Sequence, residues 1–209
     1  MGKVETVLST LESMYPYATC ELHHKNALEL LVAVMLSAQT TDAMVNRITP
    51  PLFRKYLSAH DYAQAPLQAL EEDLKQIGLY RNKAKNLKAL MHQLVLNHQG
   101  LVPEDQAALE ALPGVGRKTA NVVLSVWFGH PRIAVDTHVH RVAKRLKLAY
   151  LKDDLLTVET KLMRKFPQDT WSKLHHQLIF FGRYHCKAKA PLCEGCPLKA
   201  ECRYPNIKI

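Results

Sequence analysis

Hydrophobic positions recur at helical rather than strand spacing along almost the whole chain. Between residues 84 and 95 the apolar side chains follow one face and Lys83 falls elsewhere, which predicts an amphipathic helix ending near Gly100. Residues 28–36 are apolar nearly all round, which is typical of a fully buried helix. Further helical patterns cover residues 117–128, 137–147, 155–166 and 171–185.

Proline and glycine positions predict where these helices begin and end. Pro66 stands at a first-turn position, and Gly78 follows Ile77 where a C-terminal cap belongs. No alternating strand pattern, Asn-Gly hairpin signal or internal repeat is present in the sequence. The predicted fold class is therefore all-α. The predicted breaks are Pro50-Pro51, Pro103, Pro113-Gly114, Gly129-His130-Pro131 and Pro167.

Charge is unevenly distributed over the 209 residues, whose formal net charge is +9. Residues 1–132 carry 13 basic and 12 acidic side chains, whereas residues 133–209 carry 15 and 7. Basic surfaces favour polyanion partners because binding releases counterions condensed on phosphates. The alternative is a soluble protein that is merely basic. The jump in charge near residues 130–135 is the best sequence indication of a domain boundary.

No segment of the sequence resembles a membrane span or a secretory signal. The longest charge-free stretches fall short of the roughly 20 apolar residues that cross a bilayer. Lys3, Glu5 and Glu12 interrupt the N-terminus, where a signal peptide needs an apolar run. We therefore expect no membrane association and a cytoplasmic protein, near the nucleoid if it is bacterial. In that compartment cysteines are more often metal ligands than disulfides.

Four of the five cysteines lie in one short window near the C-terminus. Cys186, Cys193, Cys196 and Cys202 have the spacing C-x6-C-x2-C-x5-C, and neighbouring proline and glycine residues allow the loop to wrap. A structural zinc site usually pairs two tight C-x2-C knuckles, and only one is present. The looser spacing favours an iron–sulfur cluster with four separated corners, and zinc remains the alternative. Cys20 is interpreted as a small buried apolar residue.

A glycine-containing segment, residues 112–119, lies between two predicted helices. Gly114 and Gly116 permit positive φ and a close backbone approach, so amides at the start of the next helix can face a phosphate. A dinucleotide fingerprint would need a preceding strand, and a P-loop needs four residues between its glycines. The remaining interpretation is a helix–hairpin–helix that grips the DNA backbone without reading sequence. A plain helix–helix turn is the alternative.

Lys118 follows this hairpin in the first helical turn. The positive end of the helix dipole disfavours an ammonium there, and burial in a pocket would act in the same direction. A neutral amine beside a sugar C1′ can displace a base and form a Schiff base; simple phosphate contact is the alternative. Asp136 stands at a predicted N-cap, which alone would explain it. A carboxylate near Lys118 could instead accept its proton and stabilise developing positive charge.

Residues 112–120, residues 135–141 and the four-cysteine window together resemble the endonuclease III family, bifunctional DNA glycosylases of the helix–hairpin–helix superfamily. The resemblance covers nearly the whole chain. It implies a six-helix barrel at residues 22–132 and an iron–sulfur domain formed by residues 1–21 and 133–209, with DNA bound in the cleft between them. It also implies removal of oxidised pyrimidines such as thymine glycol, followed by β-elimination that nicks the strand 3′ to the abasic site.

The same resemblance assigns roles to individual residues. Lys118 matches the Schiff-base lysine and Asp136 the catalytic aspartate. Gln39 matches a residue that enters the duplex and Leu79 a wedge, although core packing and loop capping are the alternatives. The expected partner is double-stranded DNA containing oxidised pyrimidines or abasic sites, bound by a monomer that carries one [4Fe-4S] cluster. The remaining DNA contacts implied are Gly114, Gly116, Arg183, Lys187 and Lys189, and the cluster ligands are Cys186, Cys193, Cys196 and Cys202.

Overall fold

Helices form all the regular secondary structure in residues 2–204, which are the residues that a computed structural model of the chain describes. This confirms the all-α prediction. The chain divides into two compact units, one comprising Glu21–Gly129 and the other comprising the segments before and after it. The domain limits predicted from the sequence stay a prediction. None of the described helices is long and apolar enough to cross a membrane.

The unit Glu21–Gly129 contains seven helices. Their bounds are α2 Ala27–Leu36, α3 Asp42–Lys55, α4 Ala59–Gln64, α5 Leu67–Leu74, α6 Tyr80–His98, α7 Gln106–Glu110 and α8 Arg117–Val126. The predicted buried helix is α2, where every residue from Leu30 to Leu36 is buried. Helix α6 is the longest of the seven and contacts both α4 and α5, while α2 contacts α8.

The other unit combines the N-terminal helix with the C-terminal part of the chain. Val7 and Leu11 of the first helix join one hydrophobic core with Val139, Leu162 and Leu178 of the later helices. A 3-10 turn, Gln168–Thr170, leads into the last helix, which is continued by a π-helical turn, Phe181–His185, immediately before Cys186. The α-helices are α1 Lys3–Met14, α9 Thr137–Arg145, α10 Leu155–Lys165 and α11 Trp171–Phe180.

Side-chain caps explain where many of these helices begin. Each of these residues accepts a hydrogen bond from a first-turn amide, which satisfies a donor that has no partner inside the helix. The N-caps of this kind are Asn26, Thr41, Ser58, Asp105, Asp136 and Asp154.

Three helix limits predicted from the sequence are wrong. Pro50 and Pro51 lie inside α3, whose buried residue Leu52 helps to hold this helical turn against its neighbours despite the missing amides. Pro66 is the N-cap of α5 rather than a first-turn residue. Helix α5 ends at Leu74, so Gly78 lies beyond its cap.

Candidate active site

The predicted hairpin connects α7 and α8, and its two glycines have different roles. Leu112 and Val115 are buried and anchor the turn. Gly114 has φ +77°, in the left-handed region where a side chain is strained, and a Cβ there would lie 3.2 Å from Asn86 Cβ. Gly116 is the N-cap of α8 with an ordinary φ of −97°, so the expectation of positive φ holds for Gly114 alone.

The start of α8 is open towards its surroundings. A Cβ added to Gly116 would meet no atom within 4 Å, and no side chain caps this end of the helix. The internal structure therefore gives no steric reason for glycine at position 116. Backbone amides at a helix N-terminus attract anions, and no side chain of the described residues covers those of α8.

Lys118 is the second residue of α8 and its side chain is exposed. The burial in a pocket that the sequence analysis considered for Lys118 is therefore wrong for this structure. The Lys118 amine is accessible from solvent at the start of α8.

Asp136 caps the N-terminus of α9 in the other unit. Its Oδ1 accepts a hydrogen bond from Val139 N at 2.8 Å, and the residue is half-buried after the buried segment Ile133 to Val135. The capping role predicted from the sequence is confirmed. This bond uses one of the two carboxylate oxygens. The catalytic role of Asp136 stays a prediction.

Gln39 and Leu79 share an unusual backbone conformation within the unit Glu21–Gly129. Their φ angles are +54° and +59°, although neither is glycine. Such conformations cost roughly 1–3 kcal/mol each and cluster at functional sites. Both side chains are exposed, Leu79 to 56%. Core packing, the alternative interpretation of Leu79, is therefore wrong.

The four C-terminal cysteines line one small cavity of about 40 Å³. All four are free thiols, and burial raises the pKa of Cys186 and Cys196. Three sulfurs have hydrogen-bond donors. Arg145 Nη1 lies 3.3 Å from Cys186 Sγ, Tyr204 N lies 3.3 Å from Cys202 Sγ, and the backbone of Leu198 donates to Cys196. Within residues 2–204, no three His, Cys, Asp or Glu side chains are arranged to hold a single metal ion.

Arg145 fixes the loop that follows Cys186, a role not predicted from the sequence. The residue is 2% exposed, and its guanidinium donates to the carbonyl oxygens of Lys187, at 2.7 Å, and Ala188, at 3.3 Å. The side chains of Lys187 and Lys189 are exposed on this loop, while Arg183 is half-buried in the π-helical turn. Held in this way, the loop presents two ammonium groups to solvent.

Comparison with known proteins identifies close relatives. Residues 32–168 match the family model described as HhH-GPD superfamily base excision DNA repair protein. Endonuclease III of Bacillus subtilis (strain 168) is 57% identical over 203 residues, which cover 97% of this chain and 93% of the relative.

Solved structures agree with this relationship. A trapped endonuclease III–DNA covalent intermediate matches with a TM-score of 0.94 and 54% identity, over 97% of this chain and 96% of that one. A non-covalent endonuclease III–DNA complex matches with a TM-score of 0.94 and 53% identity over the same shares. These relatives were therefore solved bound to DNA.

Proposed function

The chain belongs to the endonuclease III family of the HhH-GPD superfamily, base excision repair DNA glycosylases with lyase activity, and we propose that it excises oxidised pyrimidines through a Schiff base on Lys118. The substrate is double-stranded DNA that carries such a base or an abasic site, bound by one copy of the chain. The main structural support for this proposal is that Lys118 is exposed at the N-terminus of α8, which no side chain caps, directly after the Gly114 turn.

The chemistry begins with attack by the neutral Lys118 amine on the sugar C1′. A carbon–nitrogen bond forms, the bond from C1′ to the base breaks, and the base leaves with a proton. Opening of the sugar gives a protonated Schiff base, which withdraws electrons from C2′. Loss of a C2′ proton then breaks the bond between C3′ and O3′, which nicks the strand. Water releases the unsaturated aldehyde and restores the amine.

Asp136 supplies a carboxylate to this sequence of steps. Its cap bond with Val139 N fixes the side chain through one oxygen. The proposed role of the carboxylate is to accept the proton from the attacking amine and to stabilise positive charge that develops on the sugar. Fixed charges of this kind stabilise a transition state more than mobile ones, because they need no reorganisation during the reaction.

Gln39 and Leu79 are proposed to keep the damaged nucleotide out of the duplex. A base must leave the stack before an amine can reach its sugar, and this costs a few kcal/mol. A polar side chain can replace the missing base opposite its former partner, and an apolar wedge can separate neighbouring bases. Exposure and positive φ at both positions support this role, since each side chain is presented to solvent from a strained backbone.

The remaining proposed contacts grip the phosphate backbone. Backbone amides at Gly114 and Gly116 can bind one phosphate at the positive end of α8. Lys187 and Lys189 are exposed on the loop that Arg145 holds, and Arg183 lies in the turn before it. Such contacts bind DNA irrespective of its sequence, which suits an enzyme that searches for rare damaged bases.

Cys186, Cys193, Cys196 and Cys202 are proposed to hold one [4Fe-4S] cluster. The donor set fits, because four thiols line one cavity and hydrogen-bond donors to three of the sulfurs would stabilise thiolates. When bound, the cluster supplies cross-links between distant parts of the loop. Attack on a sugar does not need it, so we assign it a structural role that positions the basic side chains nearby.

The activity is tested with a duplex that contains one thymine glycol, under single-turnover conditions. Products are separated directly and, in parallel, after hot alkali, which cleaves any abasic site. We expect nicking without alkali for the wild type and for Lys85→Gln, an exposed lysine of α6. Lys118→Gln should nick neither sample. Cleavage by the wild type only after alkali would indicate a glycosylase without lyase activity and would overturn the Schiff-base proposal.

A further inference from the structure

Lys83 is a lysine of α6 that the sequence pattern places away from the apolar face, but the structure buries it. Only 6% of the residue is exposed, and burial lowers the pKa of its ammonium group. Lysine is rarely buried without a partner, because removing its charge from water is costly. Both hydrogen-bond acceptors of Lys83 are neutral oxygens, so the position needs an explanation other than an ion pair.

The two acceptors lie on either side of Gln39. Lys83 Nζ donates to Leu36 O at 2.9 Å and to Thr40 Oγ1 at 2.6 Å. Leu36 is the last residue of α2, where the helix dipole favours a cation. One ammonium group therefore fixes both ends of the short segment in which Gln39 holds its left-handed conformation.

The same lysine is also linked to Leu79. Its backbone N–H donates to Leu79 O at 3.0 Å, which places the two residues one helical turn apart at the start of α6. The Gln39 and Leu79 segments are close together, since a Cβ added to Gly78 would lie 4.0 Å from Gln39 O. Lys83 is therefore bonded to two segments that lie next to each other.

We propose that Lys83 is a positioning residue for lesion recognition. It holds Gln39 in its strained conformation and at a fixed position relative to Leu79. This inference rests on the proposed roles of Gln39 and Leu79 in DNA. Without the ammonium group, the Leu36 carbonyl and the Thr40 hydroxyl lose a strong donor. The segment can then relax to an ordinary φ at Gln39, which re-aims its side chain.

The test compares Lys83→Met with Lys88→Met. Methionine keeps most of the length and apolar volume of lysine but removes the donors. Lys88 lies on the same helix and also donates to two backbone oxygens, those of Ala63 and Ala65, in a segment remote in sequence from Gln39. It is therefore a matched control for the loss of a buried or half-buried lysine of α6.

Two substrates separate positioning from general damage to the protein. One is a duplex with a thymine glycol, which requires the base to leave the stack. The other is a single strand with an abasic site, where no base needs replacing. For Lys83→Met we expect the single-turnover rate on the duplex to fall about tenfold, with little change on the single strand. Lys88→Met should change neither rate by more than about twofold. Equal losses on both substrates for Lys83→Met would overturn the proposal.

A double-mutant cycle with Gln39→Ala adds an independent test. If Lys83 acts through Gln39, the loss from Lys83→Met should largely disappear in the Gln39→Ala background. Additive losses would contradict the inference while leaving the role of Gln39 intact. No loss for Gln39→Ala alone on the duplex would instead contradict the proposed function of Gln39. Should Lys83→Met fail to fold, Thr40→Val removes one of the two bonds, and we expect the same substrate dependence with a smaller loss.

Discussion

The guanidinium of Arg145 donates a hydrogen bond from Nη1 to Cys186 Sγ at 3.3 Å and, from the same nitrogen, a bond to Lys187 O at 2.7 Å. One buried side chain therefore supports both a proposed cluster ligand and the loop that carries the basic residues. The ring of Tyr204 stacks on the guanidinium, whose Cζ lies 4.1 Å from the ring centroid. If the cysteines and the basic loop have the roles proposed above, Arg145 connects retention of the cluster to DNA binding.

Arg145→Met is therefore expected to impair both properties. The substitution removes a charge-assisted donor to the buried Cys186 sulfur and the two hydrogen bonds that hold the loop carbonyls of Lys187 and Ala188. Iron per chain and visible absorption should decline faster on dilution than in the wild type. The matched control is Lys152→Met, an exposed position. Wild-type iron retention in Arg145→Met would contradict the support that we assign to this residue.

Gly116→Ala should weaken DNA binding without changing the thermal stability of the protein. Alanine is compatible with φ −97° and would meet no atom within 4 Å, so thermal unfolding should be unchanged within about 1–2 °C. A methyl group would, however, occupy the space where we place a phosphate. We expect weaker binding to duplex DNA, measured by fluorescence anisotropy. Unchanged affinity would place the phosphate elsewhere.

Lys187 and Lys189 should determine part of the salt dependence of DNA binding. Each phosphate contact releases counterions and contributes about 0.9 to the slope of log K against log salt concentration. The double substitution to serine is expected to reduce that slope by up to about 2. Lys85 and Lys152, both exposed, serve as the control pair. A slope equal to that of the wild type would exclude these lysines from the interface.

His176 should make the stability of the protein depend on pH in the acidic range. Burial lowers its pKa to about 4, whereas an unfolded histidine titrates near 6.5. Between these values the unfolded state binds more protons, so stability falls as the pH decreases from about 6.5 towards 4. The expected loss between pH 7.5 and pH 5 is about 2 kcal/mol.

Chemical denaturation at the two pH values measures this loss. His176→Phe retains a ring of similar shape without a titrating group, and its stability should fall less over the same interval. The control His92→Gln alters an exposed histidine and should retain the wild-type dependence. If His176→Phe and the wild type lose the same free energy, another group is responsible.

The sequence predicted the helical class because apolar spacing is dictated by burial on one face. It failed at α3, where Pro50 and Pro51 suggest a break, since local propensity cannot report the tertiary contacts that hold a helical turn. The steric requirement for glycine at position 182 was also not predicted. A Cβ there would lie 2.9 Å from His138 Cβ. A close approach between two segments remote in sequence leaves no local signal.

The candidate site residues also divide into those that the sequence identifies and those that only the structure identifies. Lys118 and Asp136 could be named from their positions at predicted helix starts, and Gln39 and Leu79 because motifs in the sequence resemble a family. Lys83 and Arg145 could not, because a charged residue in a helix is expected on the exposed face, and its burial depends on acceptors from distant segments. Their function is to hold loops, which only the folded chain reveals.

Lys118 is tested as the nucleophile most directly by borohydride reduction during the reaction with thymine glycol DNA, followed by peptide mapping of the covalent adduct. The Schiff base is reduced to a stable amine, and we expect the DNA remnant on Lys118, with no adduct for Lys118→Gln and wild-type yield for Lys85→Gln. An adduct mapped to another residue, or one formed at wild-type yield by Lys118→Gln, would contradict the assignment of Lys118 as nucleophile.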